Sequence, residues 1–216
     1  MLKYVLFDLD GTLTDPALGI TNSIMHALRK MGREIPPRES LYAFIGPPLI
    51  PAFMNFLGMS EDEAKCALVH YREYFSEHGL FENTPYEGIC RALEKVKNSG
   101  YRLAVATSKP EIFAIRIAEK FGLSEYFDCI CGATLDETRT KKADVIAYAL
   151  ECLDASPAEC IMIGDRHHDI DGAHENKIRA LGVTWGYGSR DELASAGAEY
   201  IIDNVCDILC SIEKMK

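Results

Sequence analysis

Two acidic residues follow an apolar stretch at the start of the chain. Residues 4–7 read Tyr-Val-Leu-Phe, which is typical of a buried strand, and Asp8, Asp10 and Gly11 follow within four positions. Side chains alternate along a strand, so Asp8 and Asp10 point to the same side. Two carboxylates this close repel each other unless a cation or a shared proton lies between them. The spacing therefore indicates a site for a hard cation such as Mg²⁺, or an ordinary aspartate-rich turn.

A second apolar stretch ends in the same way. Residues 160–163 read Cys-Ile-Met-Ile, and Asp165 and Asp169 follow shortly afterwards. Open α/β sheets bind their ligands at the carboxyl ends of the strands. If the two strands are neighbours, the carboxylate of Asp165 joins those of Asp8 and Asp10. Asp169 can then orient the same site, or a metal-bound water, from the start of a helix.

These residues resemble the haloacid dehalogenase superfamily of phosphotransferases, whose four short motifs lie on a Rossmann-like sheet. Residues 8–12, Asp-Leu-Asp-Gly-Thr, resemble the first motif, and the apolar stretch that runs through residues 103–109 resembles the second. The lysine pair at 141–142 resembles the third motif, and residues 164–169 resemble the fourth. The order and spacing of these motifs extend the resemblance over essentially the whole chain.

The resemblance implies a covalent mechanism. Asp8 is then the nucleophile, and it forms an aspartyl-phosphate. Asp10 is then the acid that protonates the leaving oxygen and the base that later activates water. An acid at this position is what the phosphatases and phosphomutases of the superfamily carry. The resemblance also implies Mg²⁺ as cofactor, held by Asp8, the backbone carbonyl of Asp10 and Asp165, with Asp169 in the shell behind these ligands.

Four further residues are candidates for binding the phosphate group. By the same resemblance, Thr107 and Ser108 supply hydroxyl groups, and the catalytic lysine is Lys142. Lys142 is favoured because it comes directly before a predicted helix, but Lys141 stays open as the alternative. Gly46, in a Gly-Pro-Pro-Leu segment, allows close backbone approach to a substrate, or it simply forms a turn between helices.

The pattern of elements predicts an α/β fold with an insertion. From residue 84 onwards, short apolar strands alternate with helical stretches, which indicates a parallel sheet in a Rossmann-like three-layer sandwich. Residues 15–83 instead show helical periodicity. We therefore expect a catalytic core of residues 1–14 and 84–216, with an α-helical cap at 15–83 that closes over the site and selects the leaving group.

Composition narrows the class of partner. The 216 residues carry a net charge of −10, which disfavours nucleic acid and anionic membranes as partners. No stretch of the sequence is apolar enough for a membrane span, and we expect no leader because a predicted strand begins at residue 4. Eight cysteines without Cys-x-x-Cys spacing are expected to be reduced. Those in apolar helical or strand contexts are expected in the core: Cys90, Cys152, Cys160, Cys206 and Cys210. Together these features predict a cytoplasmic protein.

Several conspicuous residues are expected to have ordinary roles. Lys109 could assist substrate charge, but we expect a surface lysine at a helix start. Arg166 either contacts phosphate or pairs with a surface acid. The histidines at 167–168 are expected in an exposed loop, because a hard Mg²⁺ site needs no imidazole. Trp185 and Tyr187 are expected to cover the edge of the sheet.

The sequence therefore predicts a Mg²⁺-dependent phosphatase that hydrolyses a small-molecule phosphomonoester, most like the phosphoglycolate phosphatases. Three alternatives stay open: a 5′-nucleotidase-like phosphatase, a sugar phosphomutase, and a catalytically idle binding module. The expected partner is a small phosphorylated metabolite. Monomer and dimer are both compatible with the sequence.

Overall fold

A six-stranded parallel sheet forms the centre of the molecule in the computed structural model, which describes residues 1–136 and 138–215. The described strands are β1 (Tyr4–Phe7), β2 (Thr14–Asp15), β3 (Thr84–Pro85), β4 (Arg102–Pro110), β5 (Cys129–Ala133), β6 (Cys160–Gly164), β7 (Arg179–Val183) and β8 (Tyr200–Ile202). The order in the sheet is β5-β4-β1-β6-β7-β8, and β2 pairs with β3 in a separate antiparallel ribbon. The two middle strands, β1 and β6, are apolar because helices cover both faces of the sheet.

The register of the sheet brings the predicted motifs to one edge. Phe7, the last residue of β1, pairs with Val105 of β4 and with Ile163 of β6. The residues that follow these three positions therefore lie side by side at the carboxyl edge of the sheet, where β1 and β6 end and β4 continues to Pro110. This is why the first, second and fourth motifs meet although they are far apart in the chain.

Helices complete the other layers of the molecule. The described helices are α1 (Ala17–Lys30), α2 (Leu49–Leu57), α3 (Glu61–Tyr74), α4 (Ile89–Asn98), α5 (Glu111–Lys120), α6 (Lys142–Leu153), α7 (His167–Glu175), α8 (Arg190–Ser195) and α9 (Ile208–Lys214). Buried residues of α4, α5 and α9 pack on one face of the sheet, and those of α6 and α7 pack on the other. The predicted Rossmann-like three-layer fold is confirmed.

The inserted helices pack mainly on one another. α3 packs against both α1 and α2. Ser60 caps α3, because its hydroxyl accepts from the backbone N–H of Glu63 while the Glu63 carboxylate accepts from the Ser60 N–H. The β2–β3 ribbon lies where the chain leaves the sheet and returns to it. We propose that this ribbon is the junction of a cap at 15–83 with a core of 1–14 and 84–216.

Burial of the cysteines differs from the expectation. All eight cysteines are free, but only Cys131 and Cys160 are buried. The prediction that Cys152, Cys206 and Cys210 lie in the core is wrong, because each occupies a solvent-facing position in or beside a helix. An apolar neighbourhood in sequence does not say which face of a helix a residue occupies.

Within residues 1–136 and 138–215, no helix combines the length and the apolar character needed to cross a bilayer.

Candidate active site

Three buried aspartates converge at the carboxyl edge of the sheet. Asp8 follows β1, Asp165 follows β6, and Asp169 lies in the first turn of α7. Each offers a carboxylate oxygen, and these oxygens lie within 4.8 Å of one another. The two strands that precede Asp8 and Asp165 are neighbours in the sheet, which meets the condition that the sequence left open. Asp169 is thus a member of the cluster together with Asp8 and Asp165.

Lys142 provides positive charge to this cluster. Its Nζ lies 2.8 Å from Asp8 Oδ1 and 2.7 Å from Asp169 Oδ1, and it donates to the carbonyl of Ala106 at 3.0 Å. Burial disfavours the charged form of Lys142, but the carboxylates of Asp169 and Asp8 outweigh it and raise the pKa of the lysine. Lys141 caps the same helix and is exposed. The structure thus brings Lys142, and not Lys141, into contact with the aspartates.

The cluster fits a hard divalent cation. Burial raises the pKa of Asp165 well above its ordinary value, and burial also raises the pKa of Asp169, to about 6. One lysine leaves the three carboxylates with surplus negative charge in a buried site. Carboxylate oxygens are the donors that Mg²⁺ prefers, and an ion among them would remove that surplus. Asp8, Asp165 and Asp169 are therefore the side chains that could hold Mg²⁺.

Asp10 lies next to this cluster but faces a different cation. Its Oδ2 forms an ion pair with Nζ of Lys109, and within the described residues its buried Oδ1 has no hydrogen-bond partner. Burial raises the pKa of Asp10, while the Lys109 ammonium opposes that shift. The carboxylate of Asp10 is thus free on one side, as an acid or base facing a substrate requires.

The expectation of a surface position for Lys109 is wrong. The register between β4 and β5 shifts between Thr107 and Pro110, and this irregularity turns the lysine into the interior. The Lys109 side chain is 6% exposed, and its Nζ lies 5.0 Å from the centroid of the Phe75 ring. Sequence reasoning missed the residue because β4 continues to Pro110, so Lys109 lies within the strand and not at the start of the helix that follows.

The proposed phosphate-binding residues lie around the same space. Thr107 is buried at the end of the regular part of β4, and its Oγ1 accepts from the backbone N–H of Lys109 at 3.3 Å. Ser108 and Gly46 line the cavity that Thr107 also lines. Gly46 has φ of +105°, a backbone conformation that favours glycine. The structure therefore places all the predicted substrate-binding residues at this cavity or directly beside it.

A cavity of about 440 Å³ lies between the inserted helices and the core. Asp8 and Asp10 line it from below. Its apolar lining comes from both parts of the chain: Phe44, Ile50, Leu68, Tyr71, Phe75 and Phe113. The rings of Phe75 and Phe113 meet edge to face across the cap and the core, with their centroids 5.4 Å apart. Arg72 and Lys141 add positive charge to the lining.

Arg166 connects the core to the inserted helices. Its Nη1 donates to the carbonyl of Ile45 at 2.7 Å, and its Nε donates to Glu192 Oε1 at 2.9 Å. Hydrogen bonds from His167 and Arg166 outweigh the effect of burial and lower the pKa of Glu192 to about 2. The ion pair with Glu192, a partly exposed acid, agrees with one of the two roles expected of Arg166, whereas the hydrogen bond to the loop that carries Gly46 was not expected.

The two histidines after Arg166 do not lie in a loop. His167 and His168 are the first residues of α7, and both are half-buried. His167 Nδ1 lies 2.8 Å from Glu192 Oε1. Burial lowers the pKa of His168 to about 4, with further lowering by the charges of His167 and Arg166. The expectation of exposed loop histidines is wrong because α7 begins earlier than Asp169.

The segment with Trp185 and Tyr187 supports the site and does not merely cover the sheet edge. Trp185 Nε1 donates to the carbonyl of Thr12 at 3.1 Å, and the Tyr187 N–H donates to Asp165 Oδ2 at 2.7 Å. A Cβ on Gly186 would lie 2.5 Å from the Cβ of Asp165, so the backbone needs glycine there to approach. Glycines on both sides of Tyr187 were the signal available in the sequence.

The sheet, the four motifs at its carboxyl edge and the inserted helices together define a phosphotransferase-type α/β fold. A family model described as haloacid dehalogenase-like hydrolase matches residues 5–183. The chain belongs to this family, which confirms the resemblance seen in the motifs. Within the family, its similarity to proteins named as phosphatases places it among the phosphoric monoester hydrolases.

Three comparisons illustrate that similarity. The chain is 47% identical over 194 residues to a 5′-nucleotidase of Pseudomonas aeruginosa, covering 89% of this chain and 88% of the relative. A predicted phosphatase from Clostridium acetobutylicum has the same fold with a TM-score of 0.96, 45% identity and 99% coverage of both chains. The tyrosine-protein kinase PtkA of Mycobacterium tuberculosis is 43% identical over 88% of this chain, which spans 64% of that relative's length.

Proposed function

We propose that the protein is a Mg²⁺-dependent phosphatase that hydrolyses a small-molecule phosphomonoester through an aspartyl-phosphate on Asp8. The proposal rests mainly on one observation. Asp8 lies at the floor of a cavity with Lys142 on one side and the half-free carboxylate of Asp10 on the other. A nucleophile, a cation for the phosphate and an acid for the leaving group are the three parts that such a reaction requires.

Each residue has a defined task in this proposal. An oxygen of Asp8 attacks phosphorus while Asp10 protonates the departing oxygen, and Asp10 then takes a proton from the water that hydrolyses the aspartyl-phosphate. Lys142 and Thr107 donate to the equatorial oxygens of the phosphoryl group. Bound Mg²⁺, held by Asp8, Asp165 and the carbonyl of Asp10, with Asp169 beside them, supplies charge neutralisation for the phosphate.

The cavity favours a leaving group of nucleoside size. A volume of about 440 Å³ with aromatic side chains on two sides is far larger than a two-carbon acid needs. Apolar rings such as Tyr71 and Phe75 can pack on a base, and hydrophobic burial of that kind stabilises binding. The 5′-nucleotidase named among the relatives supports the same choice. We therefore propose nucleoside monophosphates as the first substrates to test.

Phosphoglycolate stays a second candidate. Arg72 and Lys141 line the same cavity, and either cation could pair with the carboxylate of a phosphorylated hydroxy acid. The sequence resemblance to phosphoglycolate phosphatases also favours this substrate class. The two candidates would contact different parts of the cavity: a nucleoside monophosphate its apolar wall, and phosphoglycolate its cations.

The decisive experiment measures phosphate release from a panel of compounds, with Mg²⁺ and with excess chelator. The panel contains nucleoside monophosphates, phosphoglycolate, hexose phosphates and pyrophosphate. We expect Mg²⁺-dependent release that is fastest from a nucleoside monophosphate. Fastest release from phosphoglycolate would replace the first candidate by the second. No release from any compound would overturn the phosphatase proposal in favour of a mutase or a binding module.

A further inference from the structure

Lys109 is buried, which is rare for a lysine. Its side chain is 6% exposed, and the partner that its ammonium contacts, Asp10, is 10% exposed. Buried lysines are costly unless they are paired, and the Asp10 carboxylate provides the pair. The lysine also faces the ring of Phe75 from the inserted helices, so it lies between the core and the cap.

The two oxygens of Asp10 have different surroundings. Oδ2 is held by Lys109, whereas Oδ1 is buried and has no hydrogen-bond partner among the described residues. Both residues line the cavity that contains Asp8. An ion pair on one oxygen fixes the direction of the carboxylate and leaves its other oxygen for a substrate.

From this arrangement we infer that Lys109 is a positioning residue for the leaving-group step: it holds Asp10 Oδ2 so that Oδ1 faces the departing oxygen. The inference rests on the phosphatase proposal, and it assigns to Lys109 a role that the four motifs do not include.

In the proposed step, an oxygen of Asp8 forms a bond to phosphorus while the bond between phosphorus and the ester oxygen breaks. The electron pair of that bond remains on the ester oxygen, which takes the proton from Asp10 and departs as an alcohol. Asp10 is left as a carboxylate beside the Lys109 ammonium, and this ion pair stabilises it until it accepts a proton from the attacking water.

The test compares two substrates that differ in their need for a proton. The 4-nitrophenolate group leaves readily as an anion, whereas the alcohol of 2-phenylethyl phosphate needs protonation. The measured quantity is kcat/KM, because it includes only the steps through departure of the leaving group and not the later hydrolysis of the aspartyl-phosphate. The variants are Lys109→Met, Lys109→Arg and Asp10→Asn, with the exposed Lys30→Met as control.

For Lys109→Met we expect kcat/KM on 2-phenylethyl phosphate to fall by about 10²-fold, near the loss in Asp10→Asn, because general acid catalysis contributes about 10²–10⁴. On 4-nitrophenyl phosphate the loss should stay below about fivefold by the same reasoning. Lys109→Arg keeps the charge and should recover most of the activity, and Lys30→Met should match the wild type.

Two results would overturn the inference. An equal loss on both substrates in a folded Lys109→Met protein would mean that Lys109 binds the phosphate group or supports the fold without acting through Asp10. Unchanged rates on both would mean that Asp10 needs no positioning. Thermal unfolding of each variant identifies a folding defect. If Lys109→Met does not fold, the rates of Lys109→Arg on the two substrates provide the test instead. A wild type that releases no phosphate at all would instead overturn the phosphatase proposal and this inference with it.

Discussion

Two lysines form ion pairs with different aspartates of the site. Lys142 forms ion pairs with Asp8 and Asp169, whereas Lys109 forms its ion pair with Asp10. The proposed nucleophile and the proposed acid therefore have separate counter-charges, and burial raises the pKa of Asp10 although the Lys109 ammonium opposes that shift. Such a division explains how two aspartates two positions apart can have different tasks.

Exchange of Lys142 should have a much larger effect than exchange of its neighbour. Lys142→Ala should lower kcat/KM by at least about 10²-fold, because it removes a buried charge that would contact the phosphate and that holds Asp8. Lys141→Ala should cost less than about tenfold, since Lys141 is exposed. Steady-state phosphate release by both purified variants provides the comparison. The reverse ranking would move the catalytic role to Lys141.

Among the elements, the loop around Gly46 is held against the core by the start of α7. Arg166 donates to the carbonyl of Ile45, and a Cβ on Gly46 would lie 3.3 Å from Cγ of Arg166. The ring centroids of Tyr42, in the same part of the cap, and Tyr187 lie 5.8 Å apart. These contacts join the cap loop to the segment that also bonds Asp165. The same segment thus contacts both the loop around Gly46 and the buried carboxylate of Asp165.

Loss of the Arg166 contact should weaken substrate binding more than chemistry. Arg166→Met removes one charge-assisted hydrogen bond to the cap, worth about 1.5–3 kcal/mol, so KM should rise by about tenfold or more while kcat changes little. The matched control is Arg190→Met, which removes an exposed arginine that pairs with Asp203. An unchanged KM in Arg166→Met, or an equal rise in both variants, would show that this contact does not hold the cap closed.

The sequence predicted some elements well and others poorly, for physical reasons. The strands that carry Asp8 and Asp165 are apolar runs with sharp ends, so their existence and the meeting of their carboxylates could be predicted. The burial of Lys109 could not, because a shift of strand register leaves no mark in hydrophobic periodicity. The contacts of Arg166 and Trp185 also escaped prediction, since they join segments more than 100 residues apart.

At the scale of the whole molecule, a few of the acidic residues lie where negative charge is most costly. The chain has a net charge of −10, and three of its aspartates share one buried site. Burial raises the pKa of Asp165 and of Asp169. Between the ordinary pKa and the raised one, the folded state binds more protons than the unfolded state. The stability of the metal-free protein should therefore fall as pH rises through about 4 to 6, and stay reduced above it.

Mg²⁺ should remove this destabilisation, and its effect should depend on pH. The ion binds ionised carboxylates, so the gain in Tm over protein in excess chelator should be larger at pH 7.5 than at pH 5. At 100 times Kd, binding stabilises by about 2.7 kcal/mol, which corresponds to roughly 5–10 °C for a chain of this size. Thermal unfolding measures the gain without any assay of activity. Asp165→Asn should abolish the gain, whereas Asp171→Asn, an exposed change in the same helix as Asp169, should keep it. An equal gain at both pH values, or in both variants, would mean that the ion binds elsewhere.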